Sequence, residues 1–368
     1  MKKIGILTLS ASDNCGSLLQ AYALQTVLQD RGYDVEIIDF TTPISEKMYR
    51  IFHPGYISSP KMFFGQIIRY KDLIKQKRDY QQFRQERLRL TEQRYSSIDG
   101  LRTIDGKYEA IVCGSDQIWN VYMRDFDEAF FLSWCIKSRC VSYAASLGDQ
   151  KGGRLADMVE RGFGYDRYAA VSVREGSAAE KFKAELGKDV KVCLDPTLLL
   201  SKEQWRGLVD KKMIPKERFI FYYSYNYADE EKNRTVLRFS AETNLPVYVI
   251  NASRWVDGRE AKYGFRIFEQ AGPLAFLGLM DGCAYALVES FHGVAFSYIF
   301  QKEFWFLGRE VRADDRIEDL LEIIDKRERV LYPGNIDLSS YRPISYLTVP
   351  PRFKELLQDS ERYITENI

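Results

Sequence analysis

Ala284-Tyr285-Ala286-Leu287-Val288-Glu289-Ser290-Phe291-His292-Gly293 is an apolar run that ends in a polar turn. Ala284 to Glu289 reads as a buried strand, and the apolar stretch Val294 to Phe300 reads as the helix that follows it. In parallel α/β proteins, ligands bind where strands end and helices begin. The chain has only two histidines, and His292 sits at such a turn. Imidazole is the side chain whose ordinary pKa suits proton transfer near neutral pH, so His292 is the candidate for acid–base chemistry. The bland alternative is a histidine at the core edge that caps the helix through its backbone. His53, within Phe52-His53-Pro54 in a loop, reads as incidental.

Outward from this turn the second half alternates regularly. Phe219 to Tyr223, Val247 to Asn251 and Glu303 to Leu307 read as strands; Glu230 to Thr243, Pro273 to Asp281 and Asp315 to Ile324 read as helices. The first half has the same rhythm. Lys3 to Leu9 is a strand, Ser10 to Gly16 a polar loop, Ser17 to Arg31 a helix stopped by Gly32, and Val35 to Phe40 the next strand, which together make a βαβ unit. Tyr108 to Cys113, Cys140 to Ala145, Ala169 to Val173 and Val190 to Leu194 read as further strands, with a helix near Leu155 to Phe163. The expected class is α/β, an open parallel sheet flanked by helices in each half. The expected units are 1–205 and 206–350, with a last helix in 351–368 packing back on the first.

An insertion, about 43–95, breaks the pattern. After Pro60 it reads as helical and carries ten Lys or Arg against four acids. It is either a solvated helix laced with i,i+4 ion pairs or a cationic face turned to anionic lipid or a diphosphate-linked acceptor. Over the whole chain the charges nearly cancel, 53 basic against 52 acidic, so nothing calls for nucleic acid. Six cysteines lie scattered without a C-x-x-C pair, and with so few histidines a zinc site is not expected. They read as reduced core thiols of a cytoplasmic protein. Met1 to Leu7 lacks the apolar core of a signal peptide, and no apolar run is long enough to span a bilayer.

Several turns concentrate chemistry. Ser10 to Ser17 opens onto a helix N-terminus, either a place for an anion or a simple cap by Asn14 or Ser17. Asp39, at the end of the second strand, occupies a ribose position of dinucleotide folds, but the G-x-G-x-x-G glycines are absent. Ser115, Asp116, Gln117, Trp119 and Asn120 directly follow a strand and supply a carboxylate, two amides, a hydroxyl and an indole, a set suited to a hydroxyl-rich ligand. Arg174 ends another strand; it is either a bidentate clamp for a carboxylate or phosphate, or half of an ion pair with Glu175. Arg312, Asp314, Asp315 and Arg316 precede a helix; Arg316 reaches for an anion, or the two aspartates only cap.

Together these segments resemble the polysaccharide pyruvyl transferase family. The resemblance rests on Gly5 to Thr8 with Asn14 to Gln25, Gly114-Ser115-Asp116-Gln117-Ile118-Trp119-Asn120, Ser142 to Ser146, Ser172-Val173-Arg174-Glu175, Leu194-Asp195-Pro196-Thr197-Leu198-Leu199 and Ser290-Phe291-His292-Gly293. Cys15 stands where family members often carry tyrosine.

The resemblance implies two Rossmann-like domains facing a cleft, GT-B-like, with a helical insertion in the N-terminal one. It implies transfer of a carboxyethylidene group from phosphoenolpyruvate to two hydroxyls of a sugar, with phosphoenolpyruvate as donor substrate and no cofactor or metal. In that reaction His292 is general acid, Arg174 clamps the donor, and Asp116 takes the proton of the attacking hydroxyl or orients the sugar. Asn14, Gly16, Ser17, Ser115, Gln117, Trp119, Asn120, Ser290, Gly293 and Arg316 hold donor or acceptor. The implied acceptor is a saccharide of a cell-surface polysaccharide, lipid-linked or free; a peripheral contact with the inner membrane surface is read only from the charge of the basic helices. A nucleotide-sugar glycosyltransferase and a non-catalytic glycan-binding relative are the alternatives.

Overall fold

The computed structural model describes residues 2–51, 59–148, 154–211, 214–224, 227–250, 253, 255, 257–308, 315–332 and 342–368. His53, Arg312 and Asp314 lie outside them.

The first sheet is parallel. Its strands are β1 (Lys3–Leu7), β2 (Asp34–Ile37), β3 (Ala110–Gly114) and β4 (Arg139–Tyr143), in the order β2-β1-β3-β4. Ile4 to Leu7 and Ala110 to Gly114 are buried throughout, as strands covered on both faces require. A short parallel pair, β5 (Ser172–Val173) and β6 (Lys191–Val192), continues this sheet through bridges from Val141 to Ala170 and from Ala145 to Val173. Both are shorter than the sequence pattern predicts, because only a few residues reach bridging distance at the sheet's edge.

The second sheet holds β7 (Ile220–Tyr223), β8 (Val247–Val249), β9 (Arg266–Ile267), β10 (Tyr285–Val288), β11 (Glu303–Leu307) and β12 (Val330–Leu331), all parallel, in the order β9-β8-β7-β10-β11-β12. That is the doubly wound arrangement. The order in which successive strands are added reverses between β7 and β10 here, and between β1 and β3 in the first sheet, so each has a switch point at its carboxyl edge.

One core runs through both halves. Leu18 and Leu24 of the helix Cys15–Asp30 share it with Phe276 of the helix Gly272–Gly282 and Phe296 of the helix Phe291–Ile299. Trp205 bridges them, its ring 5.8 Å from Tyr22 and 4.9 Å from Phe296. The helix Pro351–Asn367 closes the first sheet from below. Its Tyr363 hydroxyl donates to the Ser142 carbonyl (2.8 Å), and Ser360 Oγ accepts from the Leu194 amide (2.8 Å).

The insertion forms the helices Pro43–Met48, Pro60–Ile68 and Tyr70–Arg87. Four of its cations pair with acids elsewhere in the chain. Lys77 pairs with Asp13 (2.7 Å) and Arg84 with Asp39 (2.8 Å) in the first half; Arg69 pairs with Glu260 and Lys75 with Glu269 (3.3 Å) in the second. These four cations therefore strap the two halves together. Asp39, held also by Arg94 (3.1 Å), is committed to these ion pairs and not to a ribose.

Ser360→Ala leaves the buried Leu194 amide without its acceptor and is expected to cost about 1–3 kcal/mol of stability. Urea denaturation checks this, and an unchanged midpoint would contradict it.

Candidate active site

The loop after β1 ends at Asn14, whose Oδ1 accepts from the amides of Gly16 (2.9 Å) and Ser17 (3.4 Å) and caps the helix Cys15–Asp30. The Ser17 hydroxyl donates to Asp116 Oδ2 (2.5 Å), which joins this helix end to the loop after β3. Gln20 braces the junction, donating to Thr8 Oγ1 (2.7 Å) and accepting from the Ser115 amide (3.0 Å). Gly114 has φ 134° and lies so close to β4 that a Cβ there would sit 2.0 Å from the Tyr143 carbonyl oxygen, so only glycine fits.

Asp195, wholly buried, gathers the next group. Its Oδ1 accepts from the Thr197 amide (3.0 Å) and the Thr197 hydroxyl (2.8 Å). Its Oδ2 accepts from Arg174 Nη1 (3.0 Å), lies 3.1 Å from Ser115 Oγ and stands 3.6 Å from His292 Nε2, within Coulomb reach but beyond hydrogen-bond length. Burial pushes this carboxyl up, but His292, Arg174 and the Thr197 amide outweigh it and hold it well below the usual carboxylate range. Arg174 also donates through Nε to Glu175 (2.9 Å), and its guanidinium lies 4.0 Å from the centroid of the Phe291 ring. Burial opposes its charge, yet Glu175 and Asp195 keep it more firmly protonated than usual. Burial raises the Glu175 carboxyl, against the pull of Arg174 and, more weakly, of Arg316 in the first turn of the helix Asp315–Ile323.

His292 enters from the second half. Ser290 Oγ accepts from the Gly293 amide (3.0 Å), so the helix begins at Phe291, and His292 lies inside its first turn rather than ahead of it. The imidazole packs on Gly16, where a Cβ would approach Nδ1 to 2.1 Å. Two capped helix N-termini and a guanidinium thus converge where the carboxyl edges of the two sheets meet, an arrangement suited to an anion. Among the described residues, Arg174 Nη2 and His292 Nε2 are buried and have no hydrogen-bond partner. No group of three or more His, Cys, Asp or Glu side chains there could hold a metal.

The expected residues divide. Asn14, Gly16, Ser17, Ser115, Asp116, Arg174, Ser290 and His292 form one connected cluster. Gln117 and Asn120 bond each other (3.0 Å) beside Gly148. Trp119 presents no stacking face. It is buried, its ring 5.1 Å from Phe163 and 5.7 Å from Tyr168, because these aromatics fill the space under β3. Gly293 serves packing, since a Cβ there would meet Val288 at 2.8 Å. Cys15 turns into the core against the Tyr80 hydroxyl (3.2 Å), and burial pushes its thiol up to about 12. All six cysteines are buried and free. Sequence reasoning passed over Asp195 and Thr197 as site residues, although Asp195-Pro196-Thr197 carries the signature of an aspartate capping the turn it starts. It also missed Glu289, which pairs with the buried Lys232 at the carboxyl edge of β10.

Two Rossmann-like halves with a shared polar centre at their carboxyl edges define a GT-B-like α/β protein. A sequence profile described as polysaccharide pyruvyl transferase matches residues 14–310, and the chain belongs to that family. No curated protein matches it. Among solved structures it is similar to the UDP-GlcNAc 2-epimerase of Methanocaldococcus jannaschii, with TM-score 0.52, 12% identity, and coverage of 98% of this chain and 92% of that one. The S. aureus MnaA–UDP structure gives TM-score 0.52 and 12% identity, covering 99% of this chain and 88% of that one. A putative UDP-N-acetylglucosamine 2-epimerase from Listeria monocytogenes gives TM-score 0.52 at 8% identity, covering 99% and 88%. At such identities the likeness is one of fold. No described helix is long and apolar enough to cross a membrane.

Asp195→Asn removes the charge that balances Arg174 and is expected to cost about 3–5 kcal/mol at neutral pH. Because the folded carboxyl is held below its ordinary range, this contribution is complete well above the unfolded carboxyl's pKa of about 4, shrinks below it and is lost as the pH falls through the lower folded value. Urea denaturation of both proteins from neutral to acid pH should show the gap closing; a constant gap would place the effect elsewhere.

Proposed function

We propose that the protein transfers the carboxyethylidene group of phosphoenolpyruvate onto two hydroxyls of a saccharide, forming a cyclic ketal. The observation that carries this reading is the convergence of the Arg174 guanidinium, whose buried Nη2 makes no hydrogen bond, with the His292 imidazole at the meeting of two helix N-termini. A small ligand bearing both a carboxylate and a phosphate matches such a site, since guanidinium and helix ends each favour oxyanions. Family membership supports the same reading.

The chemistry follows from the donor. A proton added to its methylene carbon leaves positive charge at C2, and a sugar hydroxyl attacks there and loses its proton. The C2–O bond to phosphate then breaks, and the second hydroxyl closes the ring and releases its own proton. One proton ends on the new methyl group, one on the departing phosphate, and two come from the hydroxyls. His292 is the general acid for the methylene carbon or the phosphate, and Asp195 orients it. Asp116, already accepting from Ser17, receives the proton of the attacking hydroxyl.

Arg174 balances two buried carboxylates, so Arg174→Ala would confound donor binding with folding. Arg174→Lys keeps the charge and loses the planar fork, and is expected to weaken phosphoenolpyruvate about tenfold, roughly 1.4 kcal/mol, by calorimetry. His292→Ala is expected to weaken donor binding and to abolish phosphate release with a saccharide panel. Saturable binding of a UDP-sugar without any of phosphoenolpyruvate, or wild-type turnover by His292→Ala, would defeat this account.

A further inference from the structure

The helix Pro60–Ile68 turns apolar side chains to water. Pro60 opens it with a backbone already set for helix, and the chain pivots at Arg69 into the helix Tyr70–Arg87. Its inner side is fixed to the body of the protein. Gly65 and Gln66 are buried, and Arg69, just past the helix end, donates through Nε to the Trp255 carbonyl (3.1 Å) and pairs with Glu260. The outer side is bare. Phe64 is 61% exposed, Ile67 48% and Ile68 82%, and Tyr70 follows at 45%. Phe64, Ile67 and Ile68 lie three and four positions apart, so they share one face. The Phe63 ring, half-buried, meets Phe64 edge-on at 5.9 Å and supports it from beneath. Single exposed apolar side chains need no explanation. Here four of the twelve large ones exposed among the described residues fall within seven positions, which marks an interaction surface.

The flanks of this face are basic. Lys61 lies one turn before Phe64 on the same side, and Lys71 follows Tyr70. Both are exposed, and among the described residues neither pairs with an acid. Residues 60–71 hold no Asp or Glu, and the next acid, Asp72, stands 3.7 Å from Arg69. The cations that strap the halves are spent on acids of the chain; Lys61 and Lys71 are left to an outside partner.

Size and charge together select that partner. Three apolar side chains and a tyrosine offer far less than the roughly 800 Å² per partner that a stable protein interface buries. A bilayer accepts a small apolar patch and gathers the rest of its affinity from anionic headgroups around flanking lysines. Tyrosine suits the boundary between the two, with an apolar ring and a polar tip.

We propose that this face docks on an anionic phospholipid bilayer, with Phe64, Ile67 and Ile68 at the acyl boundary and Lys61 and Lys71 among the headgroups. Two turns beyond Tyr70, about 10 Å along the helix axis, Lys77 reaches Asp13, the neighbour of the capping residue Asn14. Docking therefore brings the first loop of the candidate site close to the membrane surface. It does not depend on the pyruvyl-transfer reading.

The test is co-sedimentation of the full chain with sucrose-loaded vesicles, either phosphatidylcholine alone or with a third of phosphatidylglycerol, at 50 and 500 mM NaCl. Wild type is compared with Phe64→Ser/Ile68→Ser and with Lys61→Gln/Lys71→Gln. These side chains are exposed, so both variants are expected to unfold at the wild-type temperature. Wild type is expected to pellet with the anionic vesicles at low salt, and each variant to bind them at least about tenfold more weakly. High salt and neutral vesicles should each reduce wild-type binding strongly. No wild-type binding at low salt, or equal binding by all three proteins, would overturn the proposal. So would a wild-type dimer, seen by light scattering, that Phe64→Ser/Ile68→Ser dissociates while vesicles bind neither protein; the face would then belong to a second copy of the chain.

Discussion

The carboxylate of Asp195 is the constraint on which the polar centre depends. One oxygen is satisfied locally by Thr197, and the other meets Arg174 and His292, which arrive from different sheets. A carboxylate with no exposure to water is tolerable only with such partners. Buried ion pairs seldom add net stability over a well-packed apolar core, so the return here is geometric. The imidazole and the guanidinium are held beside each other, with Arg174 Nη2 left without a hydrogen bond. Phe291 strengthens the join, since Arg174 from the end of β5 lies on its ring at the start of the following helix.

The two sheets supply the rest by topology. Each reverses its strand order once, and each places a capped helix at that switch point, with Asn14 after β1 and Ser290 after β10. Gly16 lets these ends touch, because any side chain there would occupy the space of the His292 ring. The insertion acts from outside. Its Lys77 and Arg84 hold the first half while Arg69 and Lys75 hold the second, so the helix Tyr70–Arg87 limits how far the halves can part.

The α/β alternation and the turn around His292 were legible because they depend on short-range signals. Apolar runs become buried parallel strands, and an oxygen-bearing side chain before a helix caps it. What depended on distant partners was not legible. Asp195 looked like an ordinary Asp-Pro turn, since nothing local reveals that Arg174 and His292 converge on it. Trp119 sat in a polar stretch, but Phe163, Tyr168 and Phe182 drew it into the core. The charge count of the basic insertion left a solvated, ion-paired helix and a cationic face both open, and the partners of its inward cations, Asp13, Asp39, Glu260 and Glu269, lie too far away in sequence to be read from it. His292 moved into the helix because Ser290, and not a later residue, provides the cap.

The central claim is that Asp195 organises Arg174 and His292 into an anion site shared by both halves. A crystal structure with phosphoenolpyruvate bound tests it most directly. The account predicts a carboxylate or phosphate oxygen within hydrogen-bond distance of both Arg174 Nη2 and His292 Nε2, with Asp195 still bonded to Thr197. A donor seated elsewhere, with those two nitrogens unengaged, would contradict it.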